Sequence, residues 1–527
     1  MSSQIKRIGL VSIALGWFWD FLFWDRTPGI SFAIYIALCI LAGLFLLYSN
    51  KQKPSLKIMG LLIPIVVFSV FTFIRQEPFS LLLSIGCSLL LLQIMAMSLF
   101  QADWLSYGVV DYLLGFIRFW QSVFVHPITV SSGITEPKNE TRKQKSSRQI
   151  WQVVRGTALA LPVVVIFSFL LCSADIVFAQ KMSLFLDIFN LENMPELIIR
   201  IIVILVIAYA LIGAYVHAVV KRSSGQLYSN KHAIRPFLGF TEAAIVLGSV
   251  TILFTAFVIV QFQYFFGGQT NIHIDGYTYS EYARRGFGEL LIVAIFTLIL
   301  LLGLSHIVKR EGSLKRKGFS WLGSIMVGLV GIILVSAFKR LLLYESAYGF
   351  TRLRTYTHVF MIWLGILLAI TILLEITNHL QLFSNAALLI GLGFSLTINF
   401  LNVDGIIVQR NVQRTVQHEE IDTAYLASLS TDAVPMLVSL FTSPESDILT
   451  KDALGASLAC MVQIHPSYKK PIQDWQSFQL SHWWAERALK SIEHQLSNYN
   501  LSQIGSQWQA TSPEKYTYPC QSSVWID

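Results

Sequence analysis

Long, nearly unbroken apolar runs separated by short polar punctuation dominate this chain. A hydrocarbon core about 30 Å thick needs roughly 17 to 25 mainly apolar residues in one helix. Runs of that length without central charges fall at 7–24, 30–48, 57–74, 79–100, 152–178, 197–220, 239–265, 288–308, 319–339, 357–377 and 384–403. The pattern predicts an all-α, polytopic transmembrane helical bundle of about 11 spans with a small, soluble, helical C-terminal tail. The first run follows Lys6 and Arg7, contains Asp20 and is not followed by a small-residue cleavage site, so it reads as a retained span. Residues 104–124 are apolar but broken by Asp111 and Arg118, which suits an interfacial amphipathic helix, with a twelfth span as the alternative.

These patterns divide the chain into N-terminal spans plus interfacial helix (1–125), a basic polar linker (126–150), a main transmembrane bundle (151–403) and the tail (404–527). In the tail, Ser430, Thr431 and Asp432 offer N-caps before AVPMLVSLF, with Pro435 near the first turn. Ser481 similarly precedes HWWAERALKSIEHQL, and amphipathic helices of this kind suit a small domain packed on the membrane face.

Composition agrees with the pattern. The 527 residues are 54% hydrophobic and only 13% charged, where soluble domains hold about a quarter charged residues. Net charge is +8, but the tail from Asp404 holds 8 Lys/Arg against 13 Asp/Glu, so the preceding part carries the whole positive excess. Most of that excess lies in short loops. It reads as topology and contact with anionic lipid, not as nucleic-acid binding. Alternating the spans from a cytoplasmic N-terminus places about twenty Lys/Arg on one side and about ten on the other, which predicts N-terminus in and tail out. Among the five cysteines, Cys460 and Cys520 could pair if the tail faces an oxidising compartment. No Cys/His spacing suggests a metal, no cofactor is implied, and no nucleotide-loop, zinc-protease or nucleophile-elbow motif is present in a suitable context.

Three clusters could carry chemistry. Between the seventh and eighth spans, Glu281, Tyr282, Arg284, Arg285 and Glu289 lie among glycines; paired guanidiniums there could clasp a phosphate or carboxylate, or the cluster could be an internal Arg–Glu lock. After the ninth span come Arg340, Tyr344, Glu345, Tyr348 and Arg352, where an aromatic belt with snorkelling arginines is the plainer account. After the last span, Asp404 and Arg410 stand with Asn399, Asn402, Asn411 and Arg414 where the chain leaves lipid. Glu242, Glu375 and Asp175 are intramembrane acids near span ends, a type of residue that can mark a proton path. His217, His306, His358 and His379 read as interfacial side chains.

The strings LGFTEAAIVLG, FVIVQFQYFFGG, YSEYARRGFGELL, SAFKRLLLYESAYGFTRLR, LNVDGIIVQRN and IDTAYLASLSTDAVPML occur in order over 238–437. Through them the chain resembles a family of bacterial membrane proteins catalogued as domain of unknown function 4173. The resemblance implies a bacterial cytoplasmic (inner) membrane location and a multi-pass helical fold, and supplies no activity or catalytic residue. Three readings follow. The favoured one is a non-catalytic envelope scaffold or sensor, whose outer Arg/Glu/Tyr surface docks the acidic tail, an envelope protein or an anionic ligand. The others are a transporter of a small or lipid-linked anion and a membrane enzyme acting on a lipid or envelope polymer.

Overall fold

The computed structural model describes residues 2–99, 108–131, 196–220, 237–266, 287–309, 312–415, 421–464, 474–505 and 507–521, with scattered positions between 160 and 182. Its helices are α1 (Ser2–Phe23), α2 (Ile30–Ser49), α3 (Leu56–Met59), α4 (Leu62–Ile74), α5 (Pro78–Ser98), α6 (Val109–Ser131), α7 (Glu196–Tyr215), α8 (Phe240–Phe266), α9 (Phe287–Ile307), α10 (Ser313–Tyr348), α11 (Arg352–Ile376) and α12 (Phe383–Phe400). The tail contributes α13 (Val403–Thr415), α14 (Thr423–Ala427), α15 (Val434–Phe441), α16 (Ile448–Ile464), α17 (Leu480–Ser491), α18 (Glu493–Leu496) and three strands, β1 (Asn500–Ile504), β2 (Gln507–Thr511) and β3 (Thr517–Pro519).

Among the described residues, nine helices are long and apolar enough to cross a membrane, and each coincides with an expected span. The protein is therefore a multi-pass helical membrane protein. The expected span at 7–24 is the helix α1, which carries Lys6, Arg7 and Asp20 and is not among the nine. The expected span at 152–178 lies mostly outside the described residues. Residues 109–131 form the single helix α6, with Asp111 in its first turn. The expected span at 319–339 belongs to a much longer helix. At 36 residues, α10 extends about 54 Å by its rise, well beyond a hydrocarbon core, and ends only where Gly349 takes φ +80°.

Chain contacts divide the protein into two units: Met1–Val66 with Leu89–Trp104 and Val110–Gly225, and Val67–Ser88 with Leu105–Val109 and Gln226–Asp527. In the first, α1 lies along α7, and Gly16 lets the two backbones approach at Ile204 and Ala208. Asp20, buried, accepts hydrogen bonds from Arg200, whose Nε reaches Oδ1 at 3.1 Å and Oδ2 at 3.2 Å and whose terminal nitrogen reaches Oδ2 at 2.6 Å. Trp24 donates to Glu196 at 2.8 Å on the same seam. The acid that interrupts the first apolar run is thus neutralised by a helix far along the chain.

In the second unit, α10 packs against α8, α9 and α11, and α11 packs against α12. Leu247, Ala294, Leu301, Met326, Val330, Ala337 and Leu364 form the buried interior. The tail has its own core, in which Ile407 and Val408 of α13 meet Leu437 of α15 and Leu454, Leu458 and Cys460 of α16. Cys460 is disulfide-bonded to Cys520, with Cα atoms 5.1 Å apart. The strands form an antiparallel sheet in the order β1-β2-β3, with Gly505 at φ +64° in the first hairpin. The expected helical tail is found in α13 to α18, and this small sheet follows it without having been expected. All of β1 is exposed and β2 buries only Ala510, so neither strand has the alternating apolar face that marks a strand in sequence.

Candidate functional site

The three residues Arg75-Gln76-Glu77 separate α4 from α5, which opens on Pro78. Proline suits the first position of a helix, where its missing N–H costs nothing. Glu77, just before it, accepts the backbone N–H groups of Phe79 at 2.9 Å and Ser80 at 2.6 Å, so a carboxylate meets the positive end of α5. The Tyr356 hydroxyl of α11 donates to the same carboxylate. The remaining backbone donors of the turn, the N–H groups of Gln76 and Glu77, both go to Asp432 Oδ2, at 2.8 and 2.9 Å. Arg75 donates to the carbonyls of Asn399 and Phe400, each at 3.0 Å, closing the otherwise unpaired end of α12, and lies 3.6 Å from Asp432 Oδ1.

A second charge pair lies beside the first. Arg352, which opens α11, donates to Asp404 through Nε at 2.8 Å and a terminal nitrogen at 2.6 Å. Asp404 is fully buried, and its Oδ2 also accepts the N–H and the hydroxyl of Ser430, at 2.8 and 2.6 Å. This is the planar two-point recognition that arginine offers and lysine does not. Asn402 donates from its amide to the Asp432 carbonyl at 2.8 Å and accepts from Gly405 N–H at 2.9 Å. Thr431 contacts the Ser481 hydroxyl at 2.8 Å and donates to the Gln76 amide oxygen. Burial pushes the Asp432 carboxyl above its ordinary value, opposed by the Gln76 N–H and the Arg75 charge.

The chemistry of this arrangement is holding. Both oxygens of Asp404 and Glu77 are engaged by donors, and Asp432 Oδ2 takes two backbone N–H groups. The network joins the ends of four spans, α4, α5, α11 and α12, to the Ser430-Thr431-Asp432 segment of the tail. The neighbouring turn repeats the theme: Asn411 of α13 pairs with Phe350 through both its N–H (2.7 Å) and its carbonyl (3.0 Å), and Arg414 donates to the Ser346 carbonyl at 3.1 Å.

The sequence clusters are distributed as follows. The second and third clusters meet through Arg352 and Asp404. Arg340 is half-buried on α10, the Tyr344 and Tyr348 rings lie 5.0 Å apart, and Arg354 stacks over Tyr344 at 4.1 Å. Glu345 is fully buried on α10, with His358 Nδ1 of α11 at 3.1 Å from its carboxylate. Arg410 is exposed on α13. Of the first cluster, Glu281, Tyr282, Arg284 and Arg285 lie outside the described residues, and Glu289 is exposed in the first turn of α9. Glu242 accepts the Gly239 N–H at 2.7 Å at the start of α8. Glu375, buried, receives the Ser320 hydroxyl on its carboxylate at 2.9 Å. Asp175 is exposed and accepts the Phe178 N–H at 2.9 Å. Ser430 caps the turn before α15 as expected, whereas Ser481 lies inside α17, with Gln479 at the cap position. Arg75, Gln76 and Glu77 were not among the candidates; their signal is a charged tetrapeptide, RQEP, set between two apolar runs.

A pocket of about 630 Å³ opens beside the network, lined by Arg75, Asn402, Asp432, Ser481, Trp484 and Arg487 among others. A family model described as Domain of unknown function (DUF4153) matches residues 62–440, which contain every charged residue of the network. The chain belongs to this family. The expectation of a family without assigned function holds, under the number 4153 where the sequence strings suggested 4173. No curated protein and no solved structure matches the chain.

Proposed function

We propose that this DUF4153 member is a non-catalytic scaffold or sensor of the bacterial cytoplasmic membrane, with residues 404–527 as a domain fastened to the outer ends of the spans. The observation that carries the reading is the buried Arg352–Asp404 pair with its two Ser430 donors, which commits a charged carboxylate to joining tail and bundle. The outward placement is supported by the basic excess of the opposite loops and by the Cys460–Cys520 disulfide, a bond that persists in oxidising compartments.

The test is labelling of intact cells by a membrane-impermeant maleimide, in a background without reactive native thiols. Ser346→Cys and Ser428→Cys, both at exposed positions, should label, and Ser313→Cys, exposed at the opposite end of α10, should not. Protection of Ser428→Cys in intact cells with labelling after permeabilisation would put the tail inside and refute the placement.

The Glu345–His358 pair favours a second reading, proton-coupled transport, because a buried carboxylate 3.1 Å from a half-buried imidazole on the neighbouring span is the kind of intramembrane polar pair that marks a proton path. Under that reading Glu345→Gln abolishes proton uptake by vesicles holding the purified protein while leaving its fold intact; uptake equal to wild type would remove it. Neither the network nor the pocket supplies a separate observation in favour of an enzyme.

A further inference from the structure

The pocket beside the network has walls of two kinds. Arg75 and Asn402 stand where α4 and α12 leave their apolar segments, while Ser481, Trp484, Arg487, Ala488 and Ser491 come from α17 of the tail. The floor is therefore at the level where spans meet water, and the opposite wall is a water-side helix. Two guanidiniums face the space. The carboxylate there, Asp432, is already engaged by the N–H groups of Gln76 and Glu77 and faces Arg75 at 3.6 Å, so the Arg487 charge is left in excess. Arg487 is steadied by stacking 5.6 Å over the Trp483 ring. Trp483 and Trp484 are 43% and 45% exposed and Trp475 is 54% exposed, a group of indoles on the tail of the kind that settles at the head-group layer.

We propose that this pocket binds a phosphate group, held by Arg487, with Arg75 adding positive charge to the facing wall. Arginine suits phosphate because its N–H groups match two phosphate oxygens at once. A volume of about 630 Å³ accommodates a glycerophosphate head group. The position at the span ends would leave acyl chains in lipid, and a free phosphate compound would reach the same arginines from water. The inference concerns a ligand and does not require the tail to be on either side of the membrane.

The experiment is native mass spectrometry of the full-length protein from detergent micelles, titrated with phosphatidylglycerol, with phosphatidylcholine, or with inorganic phosphate. Wild type should retain one phosphatidylglycerol or one phosphate in preference to phosphatidylcholine. Arg487→Gln should bind roughly tenfold or more weakly, as expected for loss of a charged hydrogen bond. Ala488→Trp, which fills the pocket, should lose binding also. Retention of phosphatidylglycerol undisturbed by millimolar phosphate assigns the lipid head group; binding of inorganic phosphate that displaces the lipid assigns a soluble phosphate compound. Both variants serve only if their Cys460–Cys520 bond and thermal midpoint match wild type, and Arg487→Lys with partial recovery supplies a milder check. If neither phosphatidylglycerol nor phosphate is retained, or if Arg487→Gln and Ala488→Trp bind as wild type, the proposal is overturned.

Discussion

Removing the Asp404 carboxylate is the sharpest test of the tail-to-bundle lock. Asp404→Ala deprives four donors of their acceptor: two on Arg352 and two on Ser430. The Arg352 side chain is 26% exposed and can recruit water, but the Ser430 N–H is buried. Breaking a buried ion pair by removing one partner costs about 3–5 kcal/mol. Arg352→Ala should cost less, because Asp404 keeps both Ser430 donors. The double variant should cost less than the sum of the two, by roughly 2 kcal/mol, since the second removal takes away a group already stranded. Hydrogen exchange of the amides between Leu426 and Ala433, Ser430 excluded, reads the local opening; Asp404→Ala should accelerate it by roughly two to three powers of ten. Amides of α1, in the other unit, serve as the reference. Strict additivity of the two single variants, or less than a tenfold change in Asp404→Ala, would refute the reasoning.

Two further outcomes follow from the tail. The Cys460–Cys520 bond closes a loop of 60 residues, so Cys460→Ser should lower tail stability by about 4 kcal/mol on the chain-entropy argument, measured as loss of exchange protection in α16; alkylation of both thiols in wild-type cells without reductant would show that they do not pair. His482 is almost fully buried, and burial holds its imidazole below its ordinary 6.5 despite Glu486 at 3.3 Å. The folded state thus binds fewer protons than the unfolded one below about 6.5, so tail stability should fall as pH drops through that value and His482→Gln should flatten the dependence, as followed by exchange in α17.

The spans were legible because lipid imposes one rule on every helix that crosses it, and runs such as Ile30–Ser49 satisfy it with no help from neighbours. Arg352 and Asp404 were legible as chemistry, being charges beside apolar runs, but their pairing was not, since 52 residues separate them. Arg75 and Glu77 escaped notice for the opposite reason. Between two spans a charged turn is expected, and only the fold shows that Glu77 is 2% exposed and turned onto a helix end. Ser430 and Asp432 were read as helix caps, which Ser430 is; their engagement by Asp404, Gln76 and Glu77 needs partners far away in sequence. The sheet at the end of the tail stayed hidden because its strands have almost nothing apolar to bury.

The distance in sequence between Arg75 and its partner Asp432 also sets a schedule for biogenesis. At roughly 5–20 residues per second of synthesis, some 20 to 70 seconds separate the emergence of Arg75 from that of Asp432. Throughout that interval the turn between α4 and α5 stands at the span ends without the Asp432 carboxylate that later takes its two backbone N–H groups. Water or head-group phosphates must satisfy the guanidinium and the two N–H groups until the tail is made, so this junction between bundle and tail is among the last contacts to form.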